Sequence, residues 1–229
     1  MGQTLVFKQP LTDSSSGGEA TGTIQGPYVY WTNGSTVTPY AAVHFNGGTG
    51  NGGGNYVGTA DPGLFNFTTN SFTINVWFLP YSYDAYLAGN NSYDACGWFL
   101  CLSGDHIEFG ADNNGSESVL QTVNTIGGWP WNQATNNYTY NMVTITRDGT
   151  NTPAIYLNGL ATATAMITQG GFVNPASSTN SLTFGSGTNL NGFIQYDGNM
   201  WQPQIWSAAL SASEIANLYF NQLSRKHWP

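Results

Sequence analysis

The stretch from Gly198 to Tyr219, GNMWQPQIWSAALSASEIANLY, constrains this chain more than any other. Met200, Trp201, Ile205 and Trp206 form an aromatic, β-prone run. Ser211 stands three residues before Glu214, the spacing at which two side chains cap each other's backbone N–H at a helix start. Ile215, Leu218 and Tyr219 then share one helical face. The segment reads as a strand running into a short helix over 211–220, where the fold stops.

Upstream, the apolar period is two. In SFTINVWF, Phe72, Ile74, Val76 and Phe78 fall on one face of a strand and Trp77 on the other. Met142 to Leu157 reads as a hairpin, with a turn at Asp148-Gly149-Thr150 and a close on Asn158-Gly159. A third window is Ser181 to Phe184, and further strands are expected at 4–7, 43–45, 98–102, 106–109 and 118–123. Gly47 to Gly54 is a low-complexity loop without the Lys or following helix of a phosphate cradle. Many short strands between Gly, Asn and Ser loops argue for an all-β sandwich, and only 211–220 reads as helix. No fixed repeat is visible. A chain of 229 residues accommodates one β domain, expected over 1–220, with 221–229 as a flexible arm or docking tail.

Four ordered motifs resemble the laminin-G-like and pentraxin-like family. AAVHFNG followed by NYV resembles the family's "lrFdG…dYv" strand through Phe45, Asn46, Gly47, Tyr56 and Val57. SFTINVWFLP resembles "sFTi--Wv-p" over 71–80. YNMVTITRDGTNTPAIYLNG resembles "WyHvavtrdG----lYvNG" through Arg147, Asp148, Gly149, Tyr156, Asn158 and Gly159, with Tyr140 and Met142 replacing the Trp and His. The closing "-LS" and "-EI--LY" segment is the fourth. The resemblance implies a two-sheet antiparallel jelly-roll sandwich of the concanavalin A-like type, with one short C-terminal helix. It also implies binding rather than catalysis, in the manner of phage and virion surface proteins.

Glycosidases of this architecture need two carboxylates facing one sugar bond, and their acids resemble one another in an E-x-D-x-E strand. No such run occurs. Asp105 and Glu108 would point to opposite faces of a strand, and Gly110 is expected to break the strand between Glu108 and Asp112. These acids are expected to be solvated loop residues. His106 beside Asp105 is the one plausible base for a nucleophile triad, yet no G-x-S-x-G elbow accompanies it. The resemblance implies calcium, but Trp201 and Gln202 stand where laminin-G-like acids belong, and Phe184-Gly185-Ser186-Gly187-Thr188 replaces the pentraxin loop. No metal or other cofactor of the family type is expected; an ion held by other acids stays open.

Cys96 and Cys101 are separated by about 16 Å in an extended strand, too far for a disulfide unless the chain curls at Gly97. Two buried free thiols are expected.

Only 7% of residues are charged, against about 25% in an average domain, so Asn, Thr, Ser, Gln and Gly must wet the surface. Four cations against twelve acids exclude phosphate neutralisation, hence nucleic acid as a partner. No apolar run approaches the roughly 18 residues of a spanning helix, so no membrane insertion is expected. The N-terminal MGQTLVFKQPL lacks a charged n-region and apolar h-region, so a secretory leader is not expected.

What remains for binding is aromatic. Tyr81, Tyr83, Tyr86 and Tyr93 crowd one segment, and Trp129, Trp131 and Tyr138 another. Aromatic faces stack on sugar rings while amides bond hydroxyls, and the same residues suit protein contacts. Loops folded back over the core account for them equally. The expected ligand-binding set is Trp129, Trp131, Tyr138, Tyr81, Tyr83 and Tyr93. The leading expectation is a non-catalytic interaction module on a virion or extracellular surface, as a decoration or tail-fibre protein. It would partner virion or surface proteins, form a homo-oligomer and contact glycans. A secreted lectin or carbohydrate-binding module is the alternative, and a glycoside hydrolase ranks last.

Overall fold

The computed structural model describes residues 65–81, 84–92, 94–126, 140–168, 170–186 and 195–223, with the strand segments 11–13, 20–25, 28–33, 36–37, 43–48 and 57–59. Its first strands are β1 (Leu11–Asp13), β2 (Ala20–Gln25), β3 (Tyr28–Asn33), β4 (Thr36–Val37), β5 (Val43–Gly48) and β6 (Val57–Thr59). β7 (Phe72–Pro80), β8 (Ala85–Gly89), β9 (Cys96–Ser103), β10 (His106–Asn113), β11 (Ser116–Thr122) and β12 (Asn141–Arg147) follow. The last are β13 (Ala154–Leu157), β14 (Leu160–Ala161), β15 (Thr164–Met166), β16 (Thr183–Phe184) and β17 (Gln195–Trp206), before helix α1 (Ala212–Leu223).

One antiparallel run pairs β14, β13, β12, β7, β17 and β5 in that order. The other pairs β15, β11, β10, β9, β8, β16, β6, β1, β2, β3 and β4. A single parallel contact, Gln195 with Tyr86, joins them, so one curled sheet folds over itself into the two layers of a jelly-roll sandwich.

The alternation in β7 sets which face is which. Phe72, Ile74, Val76 and Phe78 enter the central core with Val143 and Ile145 of β12, Ile205 of β17, and Trp98, Leu100 and Phe109 from the opposite layer. Thr73, Asn75 and Trp77 face the other way and are equally buried. Thr73 Oγ1 donates to the Ala208 carbonyl (2.8 Å) and Thr144 Oγ1 donates to Asn75 Oδ1 (2.7 Å), while Asn75 Nδ2 is buried without a partner. The chain after β17 therefore covers the outer face of this layer.

Pro203 sits inside the twelve-residue β17, where a missing N–H cannot serve the ladder. The register against β7 shifts between Trp201 and Gln204 at that point. Gly198 opens the segment with φ +144, and a Cβ there would stand 2.3 Å from the Leu79 carbonyl oxygen, so no other residue fits.

Helix α1 docks on the layer through Ile215, Leu218 and Tyr219, against Trp77, Met142 and Leu210. Tyr219 stacks on Trp77 at 5.5 Å, and Trp77 Nε1 donates to Gln222 Oε1. The cap is reciprocal, with Ser211 N–H on Glu214 Oε2 (2.8 Å) and Glu214 N–H on Ser211 Oγ (3.4 Å). Ser211→Ala is expected to lower stability by about 1 kcal/mol in a denaturant titration with no change in slope.

The helix continues to Leu223, three residues past its expected end, because Gln222 is buried and also donates to Gln204 Oε1 (2.6 Å). Strands β1 to β4 were not legible; ATGTIQ carries small and polar residues and YVYWTN a continuous aromatic run, neither of them a clean apolar alternation. The expected strand at 4–7 lies outside the described residues, and Gly47 and Gly48 of the glycine-rich loop belong to β5. Cys96 and Cys101 are free thiols on β9; Cys101 is buried and Cys96 only half-buried.

Candidate functional site

The two aromatic segments are rooted close together. Tyr81 follows the end of β7 and donates its N–H to the Asp197 carbonyl (2.7 Å). Its hydroxyl accepts from Asn199 Nδ2 (3.1 Å). Tyr140 precedes β12, and the Asn199 side chain hydrogen-bonds it too. Tyr196 completes the group: its hydroxyl donates to the Asn199 carbonyl (3.0 Å). Asn199 of β17 thus ties together the chain leaving β7 and the chain entering β12, which sequence reading did not single out.

The segment 127–139 has its other root in the facing layer. Ile126 N–H donates to the Asp105 carbonyl (2.9 Å) in the β9–β10 turn, and Gly104 N–H of that turn donates to Asp84 Oδ1 (2.8 Å). Ile126 and Tyr140, the described residues on either side of 127–139, therefore lie beside different layers at one end of the sandwich.

Tyr81, half-buried, is the one expected binding residue among the described residues. Tyr83, Tyr93, Trp129, Trp131 and Tyr138 lie outside them. Strand β8 divides the first aromatic segment, since Tyr81 precedes it while Ser92 and Asp94, the neighbours of Tyr93, lie past its far end. Tyr86 is no loop residue. It is a buried β8 residue packed with Phe99, Cys101 and Val119.

Burial pushes the Tyr140 and Tyr196 hydroxyls up from the ordinary tyrosine value, so both stay neutral at pH 7. This end offers neutral hydroxyls, the Asn199 amide and the acids Asp84, Asp105 and Asp197. Such groups hydrogen-bond and stack. The histidine here is occupied at both nitrogens: His106 Nδ1 meets the Thr122 carbonyl (2.7 Å) and Nε2 lies 3.4 Å from Asp105 Oδ1.

The acids of β10 require a correction. Gly110 does not break the strand, which runs unbroken from His106 to Asn113 and carries Glu108 and Asp112 on one face. The Phe99 ring lies over Gly110, where a Cβ would stand 2.0 Å from Cζ, so glycine serves here to seat an aromatic ring. Glu117 of β11 is directly opposite Asp112. Asp112 is no solvated loop acid but fully buried. Burial pushes its carboxyl up to about 7; the Asn91 amide and Asp94 backbone pull it down by less, and Glu117 and Asp94 add to the rise. Burial raises Glu117 as well. Glu108 is engaged, accepting from Gln121 Nε2 (2.7 Å) and the Cys101 thiol (3.7 Å).

Two carboxylates on one face are the raw material of glycoside hydrolysis, but a raised acid must reach its substrate. Asp112 is shut off from solvent. Among the described residues no three His, Cys, Asp or Glu come together as metal ligands, and no helix is long and apolar enough to cross a membrane.

Residues 51–216 match the concanavalin A-like lectin/glucanases superfamily. The chain belongs to that superfamily. None of the curated proteins matches the sequence. Similar solved folds include the binding domain of Paraclostridial Mosquitocidal Protein 1, at 17% identity and TM-score 0.57, covering 94% of this chain and 52% of that one. The botulinum neurotoxin DC binding domain in complex with rat synaptotagmin II aligns at 17% identity and TM-score 0.53, over 95% of this chain and 52% of that one. The same binding domain in complex with SialylT gives the same identity, TM-score and coverage. The chain spans about half the length of these binding domains. At such identities the likeness is one of fold. This member of the superfamily carries the sandwich and the C-terminal helix that its sequence motifs implied.

Proposed function

We propose that this superfamily member is a non-catalytic binding module that engages a glycan, or a glycan-bearing surface protein, through the loops at one end of its sandwich. The observation that carries this reading is the convergence on Asn199, which holds Tyr81 at the start of the first aromatic segment and Tyr140 just after the second. Trp129 and Trp131 are the anchors: Pro130 between them restricts the backbone and lowers the ordering cost of binding. Tyr81, Tyr83, Tyr93 and Tyr138 supply the surrounding contacts in this proposal. The solved complexes of similar folds with a protein and with SialylT support a receptor-facing role.

The wider setting of the proposal is an extracellular or virion surface, where the module serves as a homo-oligomeric decoration or tail-fibre component. A secreted lectin is the second reading. Hydrolysis is set aside because the raised carboxyl of Asp112 is buried and Glu108 is engaged.

The test is Trp129→Ala and Trp131→Ala on the full chain, read on a glycan array and by melting together. Truncating a true anchor costs about 2 kcal/mol or more of affinity, a thirtyfold loss, with melting unchanged. Lower melting with unaltered array signal would mean that the tryptophans cover the core, and the proposal would fall.

A further inference from the structure

The side of the sandwich where the two layers end at β14 and β15 carries open backbone and open apolar surface together. β14 pairs with β13 and β15 with β11, and among the described residues neither strand has a second neighbour. Val123 N–H donates to the Ala163 carbonyl (2.8 Å) and Ile167 N–H to the Val119 carbonyl (3.0 Å), with Ala165 opposite Gln121 between them. Backbone groups alternate sides along an antiparallel strand. Ala163, Ala165 and Ile167 therefore direct theirs at β11, and Thr164 and Met166 each turn an N–H and a carbonyl outward. Thr162 has already crossed to the other layer, where its N–H donates to the Ile155 carbonyl (2.9 Å).

Edge strands with free backbone groups are normally guarded by charge, by proline or by a bulge. β15 has none of these. From Gly149 to Tyr196 the chain holds no charged residue, and Leu160 to Thr168, LATATAMIT, has no proline. The ladder against β11 runs without a register shift. The exposed large apolar side chains of the described residues are Val123, Leu160, Ile167, Phe220 and Leu223, and all five stand along this side. Val123, Leu160 and Ile167 are more than half exposed at the two edges. Gly159 lies against Ala216 and Tyr219 of α1, and Phe220 and Leu223, one turn on from each, continue the strip along the helix. At these exposures the five leave roughly 500 Å² of apolar surface in water, at the upper end for one patch on a monomer. A standard interface takes about 800 Å² from each partner, and a homodimer's is about two-thirds apolar, so this side supplies the apolar share of one.

We propose that β15 pairs antiparallel with β15 of a second copy about a two-fold axis at Ala165, joining the two layers of one copy edge to edge with those of the other. This rests on the homo-oligomeric part of the reading above and not on its glycan-binding part. The residues of β15 suit a second copy better than an unrelated strand. In this register Thr164 lies opposite Met166 of the second copy, and the two exchange the bonds that each turns outward, twice by symmetry. On the outer face Ala165 meets Ala165, and Ile167 meets the small Ala163, so a large side chain is set against a small one along the seam. A net charge of −8 repels one copy from another, and this edge carries none of it.

The test is sedimentation of the full chain over a wide dilution series, with amide exchange followed at the same concentrations. Wild type should sediment as a dimer at the concentrated end. Its Thr164 and Met166 amides should exchange about tenfold more slowly there than in the dilute monomer. Ala165→Lys sets two like charges on the axis without touching the bonds to β11, and should be monomeric throughout with melting of the monomer unchanged. Wild type monomeric at every concentration, or a dimer that Ala165→Lys leaves intact, would overturn the proposal. So would Thr164 and Met166 amides that are protected in the monomer, since another part of this chain would then fill the edge. Should Ala165→Lys not fold, wild-type exchange at Thr164 and Met166 decides alone. Sedimentation reads the edge whatever a glycan array returns, so either reading can fail without the other.

Discussion

Val76→Asp is expected to unfold the sandwich. Val76 is fully buried in the middle of β7, paired with Val143 of β12 and inside the central core. The substitution loses about 1.5 kcal/mol of apolar burial and leaves a carboxyl with no partner, at roughly 4 kcal/mol or more even when the group takes up a proton. That sum reaches the lower end of the 5–15 kcal/mol that holds a typical domain together. Circular dichroism at 25 °C should show lost tertiary signal, or a melting point lower by ten degrees or more. Melting at the wild-type temperature would place Val76 on the wrong face of β7.

The adjacent residue carries a different load. Trp77→Ala should cost about 3–5 kcal/mol, the usual range for emptying a buried indole site, and its effect should fall first on helix α1. The indole stacks on Tyr219 and bonds Gln222, so its loss opens a cavity beneath the helix and removes a partner from the buried Gln222 amide. Hydrogen exchange in 212–223 should accelerate before exchange in β9 and β10 does. Trp77→Phe separates the two contributions, keeping a ring for Tyr219 while removing the N–H. Uniform acceleration over the whole sandwich would mean that the helix has no stability of its own to lose.

These neighbours also mark how much of the fold was legible. Side chains in a strand alternate by geometry alone, so FTINVWF announced its register before any partner strand was known. The hairpin of β12 and β13 was readable for the same reason, and α1 because its cap lies within four residues of sequence. β8 was not, since AYLAG carries no alternation and sits among tyrosines that read as a loop. Strand β10 was misjudged at Gly110 because glycine has two uses in a strand. It can end one, or it can let a ring lie flat on the backbone, and only the position of Phe99 on the adjacent strand shows which.

The candidate site divides in the same way. The sequence put aromatic residues in two stretches 48 positions apart, counted from Tyr81 to Trp129, and implied that their chemistry was binding. That both stretches are tied to one asparagine depends on β17 pairing with β7 on the edge opposite β12, a pairing made by residues more than a hundred positions away. The raised carboxyl of Asp112 lies still further from sequence reasoning. An aspartate's identity fixes its charge in water, but its proton affinity in the fold is set by what excludes water and which charges stand opposite. Here those are the burial of the side chain in the closed sandwich and Glu117 across the ladder. Local geometry wrote the strands, the hairpin and the capped helix into the sequence; burial and charge proximity are properties of the closed sandwich, and they alone decided where its loops meet and which of its acids holds a proton.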